Sequence, residues 1–277
     1  MDNNQKTVGA AIFAFSFLFF LVFTIFQQNF KLSQDKNLAQ AKLPLAQSKL
    51  SQIENQCGGV IKAGNRKIML ENDINCTGPS NGLTIDIPPS HQLMLDCAGH
   101  VIRGFGKQGA GVLIYKGANI TIRDCRIINF KHGILTLNSS NVLLDRVRSF
   151  NSTYGFTIAT STRVTLDTSL AYGNDYGLYI TNSAATSSNN IIYGNKFYGL
   201  YAANTDSIRM TNSTVCKNQY SDVFYDKYEN KRITGANNDC DNACNYNDPN
   251  KSVCTRSCAG LNLPTPPDDL LLITQEQ

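Results

Sequence analysis

Histidine is scarce in this 277-residue sequence: His91, His100 and His132 are all there is. No two of them share metal-ligand spacing, so a histidine metal centre is not expected, nor is any other metal or cofactor. There is no phosphate-binding glycine loop, no G-x-S-x-G and no defensible Cys/His pair, which removes the familiar nucleotide-binding and nucleophile-elbow classes. Charge is sparse at 17%, with a net +4, and the basic residues form no stripe. Nucleic acid is therefore not an expected partner. Tryptophan is absent, while tyrosine numbers 12 and phenylalanine 14. Many of the phenylalanines crowd the N-terminus and many of the tyrosines fall in a later repeat, so the two aromatics serve different ends.

What is present begins with Val8–Phe26, nineteen residues without a charge. That is close to the roughly 20 residues needed to cross hydrocarbon. A secretory signal has a shorter apolar region followed closely by small residues, whereas Ala39-Gln40-Ala41 lies well past this run. Residues 1–27 therefore read as an uncleaved signal anchor forming one transmembrane helix. A cleaved signal and a pilin-like processing site near Lys6–Gly9 are the alternatives. Lys6 precedes the span and Lys31 and Lys36 follow it, so the positive-inside rule leaves orientation open. Cysteine points outward: nine are present, five of them between 216 and 258, which suits an oxidising compartment. Six N-x-S/T sequons (Asn75, Asn119, Asn138, Asn151, Asn212 and Asn250) agree, although Asn-, Ser- and Thr-richness also belongs to the repeat. The expected location is membrane-anchored and facing the exterior or the cell envelope.

Residues 28–55 are polar and Gln-, Lys- and Leu-rich and read as a partly helical spacer interrupted at Pro44; a helical oligomerisation stalk is the alternative. Beyond it, glycines recur at Gly111, Gly133, Gly155, Gly177 and Gly199, each interval being 22 residues. A period in this range marks a solenoid, propeller or array. Alternating apolar pairs open four of five units (Ile120/Ile122, Val142/Leu144, Val164/Leu166, Ile208/Met210), and Thr186/Ser188 breaks the pattern. Such short alternation in β-branched residues is strand-like. The leucine-rich-repeat frame is absent. Three short strands per repeat describe an all-β, single-stranded right-handed parallel β-helix, assigned here to 56–228. A Cys-rich C-terminal cap (229–263) and a tail (264–277) follow.

Residues 22 apart should then stack about 4.8 Å from one another. Two turn files follow: Asn129, Asn151, Gly173, Asn195, and Asn138, Thr160, Asn182, Asn204, Asp226. The glycine file needs either positive φ or close backbone approach, and its next member would be Ser221.

The run Cys57-Gly58-Gly59-Val60-Ile61, the stretch Leu95-Asp96-Cys97-Ala98-Gly99-His100-Val101-Ile102-Arg103-Gly104 and the 22-residue rungs together resemble the carbohydrate-binding and sugar-hydrolase, pectate-lyase-like β-helix proteins over about 57–258. The resemblance implies the fold and extracytoplasmic binding or cleavage of polysaccharide. It also extends to a periplasmic copper-maturation protein, but the sparse histidines give copper no support.

Three constellations could carry chemistry. His132, Tyr154, Tyr176, Tyr198 and Tyr220 form one file, with Tyr179 and Tyr201 beside it. The file reads as a ligand-binding stripe for glycan or another cell-surface polymer, or as rings that merely line a turn. Asp96, Asp145 and Asp167, with Arg123 between the first two, occupy a strand-end file. Two carboxylates one rung apart could work as acid and base in a glycoside hydrolase, or as a Ca²⁺ cluster in a polysaccharide lyase. Polygalacturonase motifs and an Asp-x-Asp calcium pair are missing, so surface salt-bridge ladders are the competing account, as is a purely structural envelope or adhesion role for the whole chain. Finally, the cysteines suggest Cys57–Cys76. Cys97 and Cys125 either bond or pack as small apolar groups. Cys240-x3-Cys244-x9-Cys254-x3-Cys258 fits disulfides or four zinc thiolates, and Cys216 could tie down the cap through Cys240. An odd total leaves one thiol free or intermolecular.

Overall fold

The computed structural model describes residues 46–49, 56–205, 207–226, 233–241, 243–244 and 253–264. The expected membrane span, most of the spacer and the tail beyond Pro264 lie outside the described residues. Among the described residues no helix is long and apolar enough to cross a membrane.

The chain winds as a right-handed parallel β-helix with three parallel sheets around one core. Sheet 1 runs from Ala46–Lys49 to Ile233–Ala236 with nine strands among the described residues, sheet 2 from Gly59–Ile61 to Ala243–Cys244 with nine, and sheet 3 from Ile74–Asn75 to Thr214–Cys216 with seven. Each turn of the chain visits sheets 1, 3 and 2 in that order. Residues 46–49, placed by sequence in the spacer, pair as a strand with Arg66–Met69, so sheet 1 begins earlier than residue 56. At the other end Ile233–Ala236 continues sheet 1 beyond 228.

Alternation along each strand builds the interior. Leu93, Ile120, Val142 and Val164 form one inward file, and Leu95, Ile122, Leu144 and Leu166 a second. All eight are at most 1% exposed. Sheet 2 contributes Val112, Ile134, Phe156, Leu178, Leu200 and Val223. Each rung alone would leave its apolar side open; stacking closes it.

The corners follow one rule. From Lys116 onward, a residue with φ between 46° and 65° turns the chain, and the next residue is buried inside the coil. At the corner leading to sheet 1 the turning residues are Lys116, Asn138, Thr160, Asn182 and Asn204, where Asn tolerates the left-handed region best. The inward residues Ser139, Ser161 and Ser183 are buried. The Ser161 hydroxyl accepts from the Ser139 N–H at 3.0 Å and donates to the Ala159 carbonyl at 2.8 Å. The corner leading to sheet 2 uses amides instead: Ser152 N–H to Asn174, Asn174 N–H to Asn195, and Asn195 N–H to Asn218, at 2.9–3.1 Å. Backbone donors left over by the bends are thus satisfied inside the coil.

This corrects two expectations. Asn195 is not a turn residue below Gly173; Gly194 takes that place at φ 61°, and Asn195 lies inside. The cause is a register break. Val164 pairs with Ala185, one residue short of the repeat, and Ala184 pairs with Ser207, one residue beyond it. The inward pair of that strand is therefore Ala185 and Ser187, not Thr186 and Ser188. A second extra residue makes Tyr198 pair with Ser221, so the glycine file continues into Asp222 rather than Ser221.

The glycine file is a close-approach file. Gly111, Gly133, Gly155 and Gly177 are absent from the residues with positive φ. A Cβ on Gly155 would stand 2.5 Å from the Gly177 carbonyl oxygen, and one on Gly177 2.6 Å from that of Gly199.

Candidate functional site

The outer face of sheet 2 gathers the aromatics. His132, Tyr154, Tyr176 and Tyr198 are the outward residues at the starts of four adjacent strands. Their rings stack at 5.0, 5.0 and 5.7 Å, with interplanar angles of 12°, 24° and 27°. A second file, Tyr179, Tyr201 and Phe224, stacks at 5.2 and 5.0 Å with angles of 4° and 12°. The two files meet edge to face, Tyr176 against Tyr201 at 5.9 Å and 89°. Edge-to-face contacts satisfy the ring quadrupoles. Tyr220 closes the first file against Tyr198 at 5.9 Å and is 64% exposed, whereas the rings above it are half-buried.

This geometry decides which part of each ring a ligand meets. Rings stacked along the coil cover one another's faces, so the internal tyrosines present edges and hydroxyls. Tyr220, at the end, presents a face. Burial pushes the Tyr176 and Tyr179 hydroxyls up, and that of Tyr201 up to about 12, where Asp226 adds to the effect. These groups stay protonated donors at any ordinary pH. His132 is pushed down to about 4, first by burial and then by Lys131, so its ring is neutral. Its Nδ1 lies 2.8 Å from the Thr157 hydroxyl. All five residues of the expected stripe thus come together. Phe224 and Phe197, which packs at 5.5 Å from Tyr176, were not anticipated from the repeat.

The carboxylate file lies elsewhere, at the strand ends of sheet 1. Asp96 opposes Arg123, Arg123 opposes Asp145, and Asp145 opposes Asp167. Arg123 Nε donates to Asp96 at 2.9 Å, the Ala98 N–H donates at 3.0 Å, and Lys67 approaches to 3.4 Å. Burial opposes ionisation of Asp96, but the Arg123 hydrogen bond leads the groups that outweigh it and hold its pKa low. Arg146 clasps Asp124 at 2.7 and 3.0 Å and reaches Asp145 at 2.6 Å. Asp145 is raised by burial, with Asp167 adding to this and Arg146 opposing it. Asp167 accepts from Asn189 Nδ2 at 2.8 Å. The file is an ion-pair and amide ladder whose carboxylates are mostly engaged.

Eight of the nine cysteines form four disulfides: Cys57–Cys76, Cys97–Cys125, Cys216–Cys258 and Cys240–Cys254. The expected Cys216–Cys240 link is corrected. Asp239 bridges Thr214 on one side and Arg256 on the other, which lays 253–258 over the last rung and brings Cys258 to Cys216. With Cys240, Cys254 and Cys258 oxidised, the four-thiolate zinc reading falls. Asp222 and Asp241 converge with the Cys258 sulfur, but that sulfur is in a disulfide. Asp222 accepts from the Asp241 N–H, and Asp241 from Cys258 N–H and the Ser257 hydroxyl.

A family described as "Right handed beta helix region" matches residues 52–215. Among solved structures, pectate lyase Pel9A superposes with a TM-score of 0.53 at 12% identity, over 70% of this chain and 59% of that one. The full-length tailspike protein 2 from Escherichia coli O157:H7 bacteriophage CAB120 gives 0.48 at 10% identity, over 77% and 37%. Endopolygalacturonase I from Stereum purpureum gives 0.39 at 13% identity, over 69% and 93%. The chain spans less than two thirds of the length of the first two, and at these identities the likeness is one of fold. No curated protein matches the sequence.

Proposed function

The chain belongs to the right-handed β-helix family, and from that premise we propose that the outer face of its sheet 2 binds an extended glycan or similar cell-surface polymer without cleaving it. Fold alone does not carry activity, so the support is the chain's own surface. The carrying observation is the double aromatic file from His132 to Tyr220, repeated once per rung. A polymer lying along the coil meets the same phenolic donor at about 4.8 Å intervals. Its sugar hydroxyls accept from, or donate to, the Tyr154, Tyr176 and Tyr198 edges, while one ring stacks on the open face of Tyr220. Four disulfides support an oxidising, extracytoplasmic setting, and the apolar run Val8–Phe26 supports a membrane tether there.

The hydrolase or lyase reading rests on Asp96, Asp145 and Asp167, and those groups stand on another sheet, largely held by Arg123, Arg146 and Asn189. It is the weaker of the two. A glycan array probed with the full-length chain tests the proposal. Retention of a polymeric glycan, weakened by Tyr220→Ala and with no new reducing ends, supports it. Reducing-end release that disappears with Asp145→Asn overturns it in favour of catalysis.

A further inference from the structure

A groove of about 680 Å³ lies over the outer face of sheet 3, away from the aromatic files. One outward file runs along its floor: Arg148 opposes Leu170, and Leu170 opposes Ile191. Pro264 closes the Ile191 end, its carbonyl accepting from the Tyr193 hydroxyl. Ala98 and Gly99, both exposed, form the other end. The chain enters this groove already heading along it. Cys258 is bonded to Cys216 on the last strand of sheet 3. By Pro264 the chain has moved to Tyr193, the partner of Cys216 on the strand before. It has thus stepped one rung back toward the N-terminal end of the coil, and the same heading leads next over Leu170 and then over Arg148.

Beyond Pro264 the sequence reads Thr265-Pro266-Pro267-Asp268-Asp269-Leu270. Consecutive prolines favour an extended path of about 3.1 Å per residue and carry no N–H that needs a partner. On that path Asp268 and Asp269 fall about 12 and 16 Å beyond Pro264, and Leu270 about 19 Å. Rungs are about 4.8 Å apart, so the Arg148 strand lies about 10 Å from the Ile191 strand and Gly99 about 19 Å. The acids therefore come within reach of the Arg148 guanidinium, and Leu270 reaches the open end. Charge agrees with this register. Arg148 is exposed, and no carboxylate among the described residues pairs with it. Asp124 in the same groove is taken by Arg146 at 2.7 Å, and Arg126, one rung further, is already engaged.

We propose that the groove is a docking site for residues 265–270 of this same chain, which lie along sheet 3 with Asp268 and Asp269 against Arg148 and Leu270 against Ala98 and Gly99. The segment is then a strap over the outer face of sheet 3. It stands independently of the sheet 2 reading, because it shares no residue with it.

Proteinase K digestion of the full-length native chain tests it, with intact mass reporting cuts within 265–277. Cleavage of a docked segment tracks the fraction of time it is released. Asp268→Asn with Asp269→Asn should speed these cuts about threefold, the loss of an exposed ion pair. Arg148→Glu should speed them about tenfold, since attraction becomes repulsion, with unchanged circular dichroism. Adding Asp268→Lys and Asp269→Lys to Arg148→Glu should restore the protection. If Arg148→Glu unfolds the coil, the Asn variant decides alone, because it alters no residue of the coil. One cleavage rate for the native chain and the variants overturns the docking. Protection that grows with protein concentration overturns the assignment to the same chain and gives the groove to the segment of a second copy.

Discussion

Tyr198 and Tyr220 stack at 5.9 Å and 25° although they are not partners across the sheet; Tyr198 pairs with Ser221. The extra residue that shifts the register lets Tyr220 swing out, so the file ends in a ring with one open face. The two positions should therefore separate binding from folding. Tyr198 touches Tyr176, Tyr201, Phe224 and Tyr220, and Tyr198→Ala should cost on the order of 2–4 kcal/mol in urea unfolding. Tyr220→Ala should leave stability within about 0.5 kcal/mol while reducing glycan retention. Equal destabilisation by both variants would show that the open ring is structural.

The glycine file yields a contrast between two kinds of glycine. Gly155 has no room for a Cβ: the Gly177 carbonyl oxygen would lie at 2.5 Å and Asn174 Nδ2 at 2.9 Å. Gly173 has φ 63° and nothing within 4 Å. Gly155→Ala should destabilise by roughly 2–3 kcal/mol or more, since backbone in the next rung must move. Gly173→Asn, which only has to adopt a left-handed conformation, should cost well under about 1 kcal/mol. Denaturant midpoints at constant slope measure both, and the reverse ranking would contradict the close-approach account.

Much of this architecture was legible because the coil repeats its constraints. Every rung needs small residues where backbones meet and alternating apolar residues facing in, so Gly111 through Gly199 and Val142/Leu144 announce themselves. The breaks were not legible for a definite reason. The strand Ala184–Ser188 comes one residue early after the strand before it, and the strand after it comes one residue late. The error cancels over two rungs, and the glycines keep time across it. That is why Asn195 looked like a turn residue and Thr186 like an inward one. Composition could not pair Cys216 with Cys258 either, because that link depends on the path of the chain around Asp239. The aromatic stripe was visible, but stacking hides the ring faces, which only coordinates reveal.

The inward amide ladder should be as sensitive as the apolar core. Asn174 accepts from the Ser152 N–H at 2.9 Å and donates to the Ser149 carbonyl at 3.1 Å and to Asn195 at 3.2 Å, and it is fully buried. Asn174→Ala leaves a buried donor and a buried acceptor without partners, each costing about 1–3 kcal/mol. We expect a loss of about 3 kcal/mol, and faster amide exchange at Ser152 in native-state hydrogen exchange. Protection at Ser152 that survives the substitution would mean that water replaces the side chain without cost.

His132 should give the protein an acid sensitivity of its own. Its ring is stacked on Tyr154 at 5.0 Å, and its pKa is pushed from 6.5 down to about 4, chiefly by burial and then by Lys131. Between those two values the unfolded chain binds a proton that the folded chain refuses. Stability therefore falls as pH drops through 6.5 and levels off below about 4; the total is on the order of 3 kcal/mol. Asp96 and Asp73, whose pKa values are held below 3.8, lose their contributions only as pH falls below about 4, so the two effects occupy separate windows. His132→Phe keeps a ring on Tyr154 and removes the titration. Thermal unfolding of both proteins from pH 7.5 to 4 should show curves that are parallel above pH 7 and converge, or cross, as pH falls toward 4. Curves parallel throughout would mean that the imidazole takes up its proton in the folded state as readily as in the unfolded one.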